Sequence, residues 1–526
     1  MALARTRAVA LVGVQGHVVR VEADIGSYGL PGLYLVGLPD AALNEARARV
    51  RAAVANSGQN WPQRRITVGL FPAALPKRGS GFDLAVASAV LAADGAVPRG
   101  AVDKLVFIGE LGLDGRVRPV PGVLPAVLAA AEAGMTEVVV PRVNLAEAAL
   151  VPGVTAVGVA SLSHLLARLR GEPDPADGIG DGDDAGDDDV AARIPTVGDP
   201  AGGAGGRLRH LDLSDVLGQA AARRALEICA AGGHHLWLLG PPGSGKTMLA
   251  ERLPTMLPAL DAAAALEVTA IHSVAGTLPP DCPLITEPPF CGPHHTASKA
   301  AMVGGGSGLV RPGAVSLAHR GVLFLDEAPE FSRGVLDALR QPLESGEVVI
   351  ARAAVTARFP ARFTLVLAAN PCPCARFVGD GGDCTCSSLD RRRYLGRLSG
   401  PLLDRIDLKV EMLPVSRAEM LSDRQFVEPS AVVADRVARA RQRAAQRLAG
   451  TPWRTNAEVP GRELRTRLAP ERGAERAAAL ERGQVSARGL DRILRVAWTV
   501  ADLADRRRPG AGEVEYAFGL WRGATW

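Results

Sequence analysis

Long apolar runs, disulfide-dense segments and lysine are all scarce in this 526-residue chain. No stretch of about 18 uninterrupted apolar residues occurs, so no membrane-spanning helix is expected. The opening Met-Ala-Leu-Ala-Arg-Thr-Arg has no apolar region leading to a cleavage site, which argues against secretion. Seven cysteines in a chain of this length do not make a disulfide scaffold, and a reducing cytoplasm is the expected compartment. Nearly all of the positive charge is arginine, so a lysine inside a motif carries information. The length predicts three or four domains at roughly 100–200 residues each.

Charge is unevenly placed. Residues 171–206 hold ten acidic residues and one basic residue, Arg193, so the remainder of a chain of net charge +4 carries +13. The acidic stretch is rich in Gly, Asp, Pro and Ala, too poor in apolar surface to order itself, and reads as a flexible linker. The basic remainder either attracts a polyanion or reflects general arginine usage.

The informative lysine is Lys246. It lies in Gly240-Pro241-Pro242-Gly243-Ser244-Gly245-Lys246-Thr247, a phosphate-cradling loop of the form GxxxxGK[ST]. The glycines let backbone N–H groups turn toward phosphates, Lys246 brings charge to the β- and γ-phosphates, and Thr247 offers a hydroxyl to Mg²⁺. The apolar run at 235–240 predicts a buried strand before it, and Met248 onward a helix after it. About eighty residues later, Val-Leu-Phe-Leu-Asp326-Glu327 forms an apolar strand ending in two carboxylates. Asp326 is suited to the Mg²⁺ shell and Glu327 to polarising the attacking water. In this order and at this distance, the pair predicts an ATPase site with ATP and Mg²⁺ as cofactors.

Before the linker, residues 1–170 read as a mixed α/β domain. Strands are expected at 18–25, 66–70, 105–108 and 137–141, with helices at 41–57, 84–93 and 123–133. The runs Pro76-Lys77-Arg78-Gly79-Ser80-Gly81-Phe82-Asp83 and Gly109-Glu110-Leu111-Gly112 resemble the proteolytic domain of Lon, in the ribosomal-S5-like fold. Lon-type proteases use a Ser–Lys dyad. Here Gly81 falls at the nucleophile position, with Ser80 one residue away, and Leu124 falls where the lysine should stand. The resemblance implies the fold and denies the protease chemistry.

Residues 207–413 resemble an AAA+ core. Asp215-Val216-Leu217-Gly218-Gln219 looks like the segment covering adenine. The apolar strand at 363–369 ends on Asn370, the sensor-1 candidate. Leu402-Leu403-Asp404-Arg405-Ile406-Asp407 looks like an arginine-finger motif, with Arg405 the choice and Arg397 the alternative. A finger acting in trans implies a ring. Residues 414–526 are helical and fit an AAA+ lid. Within them Arg488 starts a helix resembling sensor 2 and is expected to reach the γ-phosphate in cis, with Arg492 and Arg495 on the exposed face. Residues 348–363 read as a β-hairpin of the pre-sensor-1 kind. Its Arg352 and Arg358 either contact nucleic-acid phosphates or pair with acids of their own subunit.

Cys372-Pro-Cys374 and Cys384-Thr-Cys386 place four thiols in a fifteen-residue loop. That set suits tetrahedral Zn²⁺, and a reducing compartment equally permits four free thiols. The whole pattern, with Pro293-His294-His295-Thr296, Asn370-Pro371-Cys372-Pro373-Cys374 and the run from Arg397 to Arg405, resembles the YifB/ComM group of magnesium-chelatase-like AAA+ ATPases. The resemblance implies a cytoplasmic homo-hexamer acting as a DNA helicase or branch-migration factor in recombination or natural transformation, with single-stranded or branched DNA as partner. The alternative is a chelatase-type remodeller of a protein or metal-insertion partner without DNA translocation. His294 and His295 acquire no role from the sequence.

Overall fold

A computed structural model describes residues 2–175, 211–474 and 485–523, apart from short gaps at 27, 38–40, 78, 280–281, 307–309, 353–354, 377–383 and 425. Most of the acidic stretch expected to be a linker lies outside the described residues.

The N-terminal part is built on a seven-stranded sheet. Its strands are β1 (Ala2–Val12), β2 (Gln15–Gly26), β3 (Gly32–Val36), β4 (Arg65–Phe71), β5 (Val106–Phe107), β6 (Glu137–Pro141) and β7 (Thr155–Val159), in the order β3-β4-β2-β1-β5-β6-β7. Strand β2 buries Val19, Val21, Ala23 and Ile25 and turns Arg20, Glu22 and Asp24 outward, which is the alternation of a half-buried strand. The expected helices appear as α1 (Ala41–Asn56), α2 (Asp83–Asp94) and α3 (Val123–Glu132), followed by α4 (Leu162–Arg170). Strand β1 was not anticipated from the sequence. It pairs antiparallel with β2 along its whole length, and its alternating arginines and alanines are the other half of that ribbon.

The second sheet has five strands: β8 (Leu236–Leu239), β9 (Phe290–Cys291), β10 (Val322–Leu325), β13 (Thr364–Ala369) and β14 (Leu408–Glu411). The hairpin β11 (Glu347–Arg352) and β12 (Val355–Pro360) intervenes in sequence between β10 and β13. The sheet order is β9-β10-β13-β8-β14, and every pairing is parallel. Because both faces are covered, its strands are continuously apolar. Leu236, Leu238, Val366 and Ala368 face one core, while Trp237, Leu239, Leu365 and Leu367 face the other. Helix α5 (Ala220–Gly232) and the C-terminal helices α9 (Ser430–Arg447), α10 (Ala487–Leu503) and α11 (Ala511–Arg522) pack into the first of these cores.

The two sheets are joined through α7 (Ala262–Ala275), which follows the short helix α6 (Lys246–Ala250) and precedes α8 (Ser388–Leu395). Helix α3 lies against α7, and the Gly122 N–H donates to Ser273 O at 3.0 Å. Buried Glu147 accepts hydrogen bonds from the Leu124 N–H at 2.9 Å and from the Ser273 hydroxyl. Leu11, Val12 and Val14 pack with Val274, Ala357 and Phe359, so the turn after β1 also touches hairpin strand β12.

Candidate nucleotide site

Parallel strands end on one edge of their sheet, and the connecting loops gather there. Strand β8 is followed by Gly240, whose N–H donates to Ala369 O of β13 at 3.1 Å. A Cβ at Gly240 would stand 2.3 Å from Met412 O, so the close approach of backbones requires glycine. Gly243 and Gly245 adopt φ of +77° and +88°, the left-handed region that lets the loop fold around its own N–H groups.

Lys246 is buried inside this loop. Its ammonium donates to Gly240 O at 2.7 Å, Pro241 O at 2.9 Å and Asn370 Oδ1 at 3.1 Å. Burial lowers its pKa, with Asp326 and Glu327 acting in the opposite sense. All three ammonium donors are thus met by neutral acceptors, and a phosphate oxygen offers an anionic partner in their place. Thr247 Oγ1 donates to Asp326 Oδ2 at 2.6 Å. A hydroxyl beside a carboxylate is the hard-oxygen pair that Mg²⁺ takes when phosphates complete its shell. The residues present therefore fit Mg²⁺-ATP.

Glu327 follows Asp326 with φ +49°, a left-handed conformation rare for this residue type. Its carboxylate is half-exposed and lies 3.5 Å from His295 Nδ1, and the His295 ring stacks on His294 at 4.1 Å. The local sequence around His295 carries no signal of a role. The signal for it was topological: Pro293-His294-His295 follows β9, which lies beside β10, so its loop reaches the same sheet edge. Gln219, at φ +55°, donates to Ser244 O at 3.1 Å and Leu413 O at 2.6 Å, tying the expected adenine segment to the phosphate loop.

The arginines divide into two groups. Arg397, the alternative finger, donates to Pro329 O at 3.1 Å and to Glu330 Oε2 at 2.9 Å, three residues beyond Glu327. Arg405 pairs with Glu344 and the Pro401 carbonyl of its own chain. Arg405 and Arg488 line a common cavity of about 560 Å³ with Asp337, Glu344 and Asp404, and no residue of 240–247 lines it. Arg488 thus shares this cavity with Arg405, whereas the expectation placed it at the γ-phosphate in cis. Helix α10 is anchored at the other end of the sheet, where Arg492 binds Asp407 at 2.6 Å and Asp407 accepts the His235 N–H at 3.0 Å. His235 precedes β8 and the phosphate loop follows it, so roughly 13 Å of strand separates them.

Arg492 and Arg495, expected on the exposed face, are both half-buried, which corrects that expectation. Neither is a free surface group, since Arg492 holds buried Asp407 and Arg495 donates to Val459 O at 2.8 Å. Burial pushes the Asp407 carboxyl up, but Arg492 and His234 outweigh it and hold the group well below the usual carboxylate range.

In the hairpin, Arg358 pairs with Glu347 at 2.7 Å, the intramolecular alternative, while Arg352 sits at the last pair before the turn. The four cysteine sulfurs of Cys372, Cys374, Cys384 and Cys386 lie within 4.8 Å of one another. In the N-terminal part, Ser80 bonds Glu110 and buried Lys77 bonds the Pro72 carbonyl, so these two do not form a dyad. Leu124 is a buried core residue, as expected for a site without a base.

Three family models match the chain in succession. Subunit ChlI of Mg-chelatase matches residues 21–144, magnesium chelatase subunit ChlI matches 212–420, and the magnesium chelatase subunit ChlI C-terminal family matches 427–520. An uncharacterised protein of Mycobacterium tuberculosis is 54% identical, covering 98% of both chains. Uncharacterized protein YifB of Escherichia coli and competence protein ComM of Haemophilus influenzae are each 40% identical, covering 96% of this chain and 94% of theirs. A phosphate loop on this parallel sheet, facing Asp326, Glu327 and Asn370, defines an ATP-hydrolysing AAA+ enzyme of the magnesium-chelatase type. Within that class, the chain belongs to the YifB/ComM family. No helix among the described residues is long and apolar enough to cross a membrane.

Proposed function

We propose that the chain is the repeating subunit of a ring in which Mg²⁺-ATP hydrolysis rearranges a macromolecular client, in the chelatase manner. The supporting observation is that Arg405 and Arg488 line one cavity to which no residue of the phosphate loop contributes. Two cations gathered in a cavity of their own are suited to completing the site of a neighbouring subunit. In the assembled site, Lys246 and the loop N–H groups bind the phosphates, and Thr247 and Asp326 hold the metal. Glu327 takes the proton of the attacking water, Asn370 orients it, and Arg405 offsets charge on the transferring phosphoryl group. Mg²⁺ bound there would supply positive charge to offset the charge of the phosphates.

Four segments serve this reading: 1–170 as a degenerate Lon-like domain, 171–206 as linker, 207–413 as the ATPase core and 414–526 as the helical lid. A homo-hexamer is the assembly proposed. The test is turnover alongside the mass of the nucleotide-bound assembly. Full-rate ATP hydrolysis by a lone subunit sinks the proposal.

DNA as the client is the second reading. It is favoured by near-full-length likeness to a relative named competence protein ComM, and by the hairpin with Arg352 near its turn. It predicts that single-stranded or forked DNA stimulates ATP turnover and that forked or four-way DNA is unwound. A flat response to DNA leaves the chelatase-type reading.

A further inference from the structure

The loop leaving β13 is closed at its base by sulfur. Cys372 Sγ lies 3.3 Å from Cys374 Sγ, Cys374 Sγ 3.6 Å from Cys384 Sγ, and Cys384 Sγ 3.7 Å from Cys372 Sγ. Cys386 completes the cluster, and none of the four forms a disulfide. A disulfide requires about 2.05 Å between sulfurs. A tetrahedral thiolate cage at about 2.3 Å from zinc places its sulfurs about 3.8 Å apart. The three separations, 3.3, 3.6 and 3.7 Å, exclude disulfides and lie at or slightly below the cage value. The two CxC pairs come from opposite ends of the loop and turn toward each other. In the first, the Ala375 N–H donates to Cys372 O at 3.1 Å, with Ala375 at φ +60°.

Both ends of this loop touch Asn370. The residue itself begins the loop and accepts from Lys246. The loop returns into α8, whose buried Tyr394 lies beside the Asn370 backbone. We propose that Cys372, Cys374, Cys384 and Cys386 bind one Zn²⁺ as a tetrathiolate, and that this closure positions Asn370 against Lys246. Without a cross-link, a fifteen-residue excursion must find its closed form against its own chain entropy. The metal half of the proposal stands on the sulfur geometry alone, whereas the positioning half rests on the nucleotide-site reading.

The test uses the full chain. Elemental analysis of the purified protein is expected to give one zinc per chain, and growth with Co²⁺ to give thiolate charge-transfer and tetrahedral d–d absorption. Metal-free protein whose four thiols react at once with a thiol reagent overturns the metal half. Cys384→Ser is expected to lose the metal and to lower kcat about tenfold to a hundredfold, with binding of a fluorescent ATP analogue retained. Cys384→His, which restores a ligand, is expected to recover both metal and turnover. Loss of metal with kcat unchanged overturns the positioning half. Should Cys384→Ser not fold, release of zinc from the wild-type chain by a mercurial, with kcat followed during release, makes the same decision. Lys246→Ala is expected to keep its zinc, so a failure of the nucleotide reading is separable from a failure of the metal site.

Discussion

His295 Nδ1 stands 3.5 Å from Glu327 Oε2, on a loop that reaches the carboxylate from the neighbouring strand. The carboxylate sits on a left-handed residue and is half-exposed, so its direction depends on what touches it. His295 is therefore expected to aim Glu327. Steady-state kinetics on His295→Ala should show kcat down about tenfold with KM for ATP unchanged. Glu327→Gln should bind ATP and lose about 10²–10⁴ in turnover, the range for a positioned base. An undiminished kcat in His295→Ala would reduce the contact to packing.

Arg405 is held in cis by Glu344, although its proposed partner is a phosphate on another subunit. Arg405→Ala should retain ATP binding and lose about 10³-fold in turnover. Lys246→Ala should fail to bind nucleotide. Each inactive variant keeps what the other lacks, so mixing the two is expected to restore part of the activity at mixed interfaces. A mixture as inactive as its components, under conditions where wild-type subunits exchange, would place Arg405 outside the neighbour's site.

The phosphate loop, the paired carboxylates and Asn370 were legible because each lies within a few residues of a buried strand end, and short-range pattern fixes such positions. Helices α1 to α3 were legible from their apolar faces, to within a residue or two at each end. Strand β1 was not, because Ala-Arg-Thr-Arg-Ala offers weak apolar contrast and its assignment rests on pairing with β2. His295 was missed, and Arg492 and Arg495 were misplaced, for a related reason. Which end of a sheet a helix reaches is decided by long-range packing, here Arg492 on Asp407, which no local pattern encodes.

Ser273 and Glu147 join α7 of the ATPase part to the N-terminal part. Glu147 is buried and also accepts from Asn144 Nδ2 at 3.2 Å, so removing the Ser273 hydroxyl leaves the carboxylate one donor short without emptying the site. Ser273→Ala should cost about 1–3 kcal/mol in urea unfolding. It should also speed hydrogen exchange at Leu124, whose N–H donates to the same carboxylate. Exchange at Leu124 identical to wild type would show that the two parts are held together elsewhere.

Asp407 ends the finger motif, is 2% exposed, and binds Arg492 and the His235 N–H. Its folded pKa is depressed, so the stabilisation it contributes is fully present above the unfolded value of about 3.9 and is lost as pH falls toward the folded value. Asp407→Asn leaves the Arg492 guanidinium without its anion in a buried setting, which costs about 3–5 kcal/mol. Urea titrations of both proteins should show that gap constant between pH 6 and pH 8 and narrowing below about pH 4, where Asp407 takes up a proton in the unfolded chain while the folded carboxylate stays ionised. A gap that stays constant down to pH 3, with both proteins still folded there, would mean that hydrogen bonding alone, and not the charge, gives Asp407 its weight.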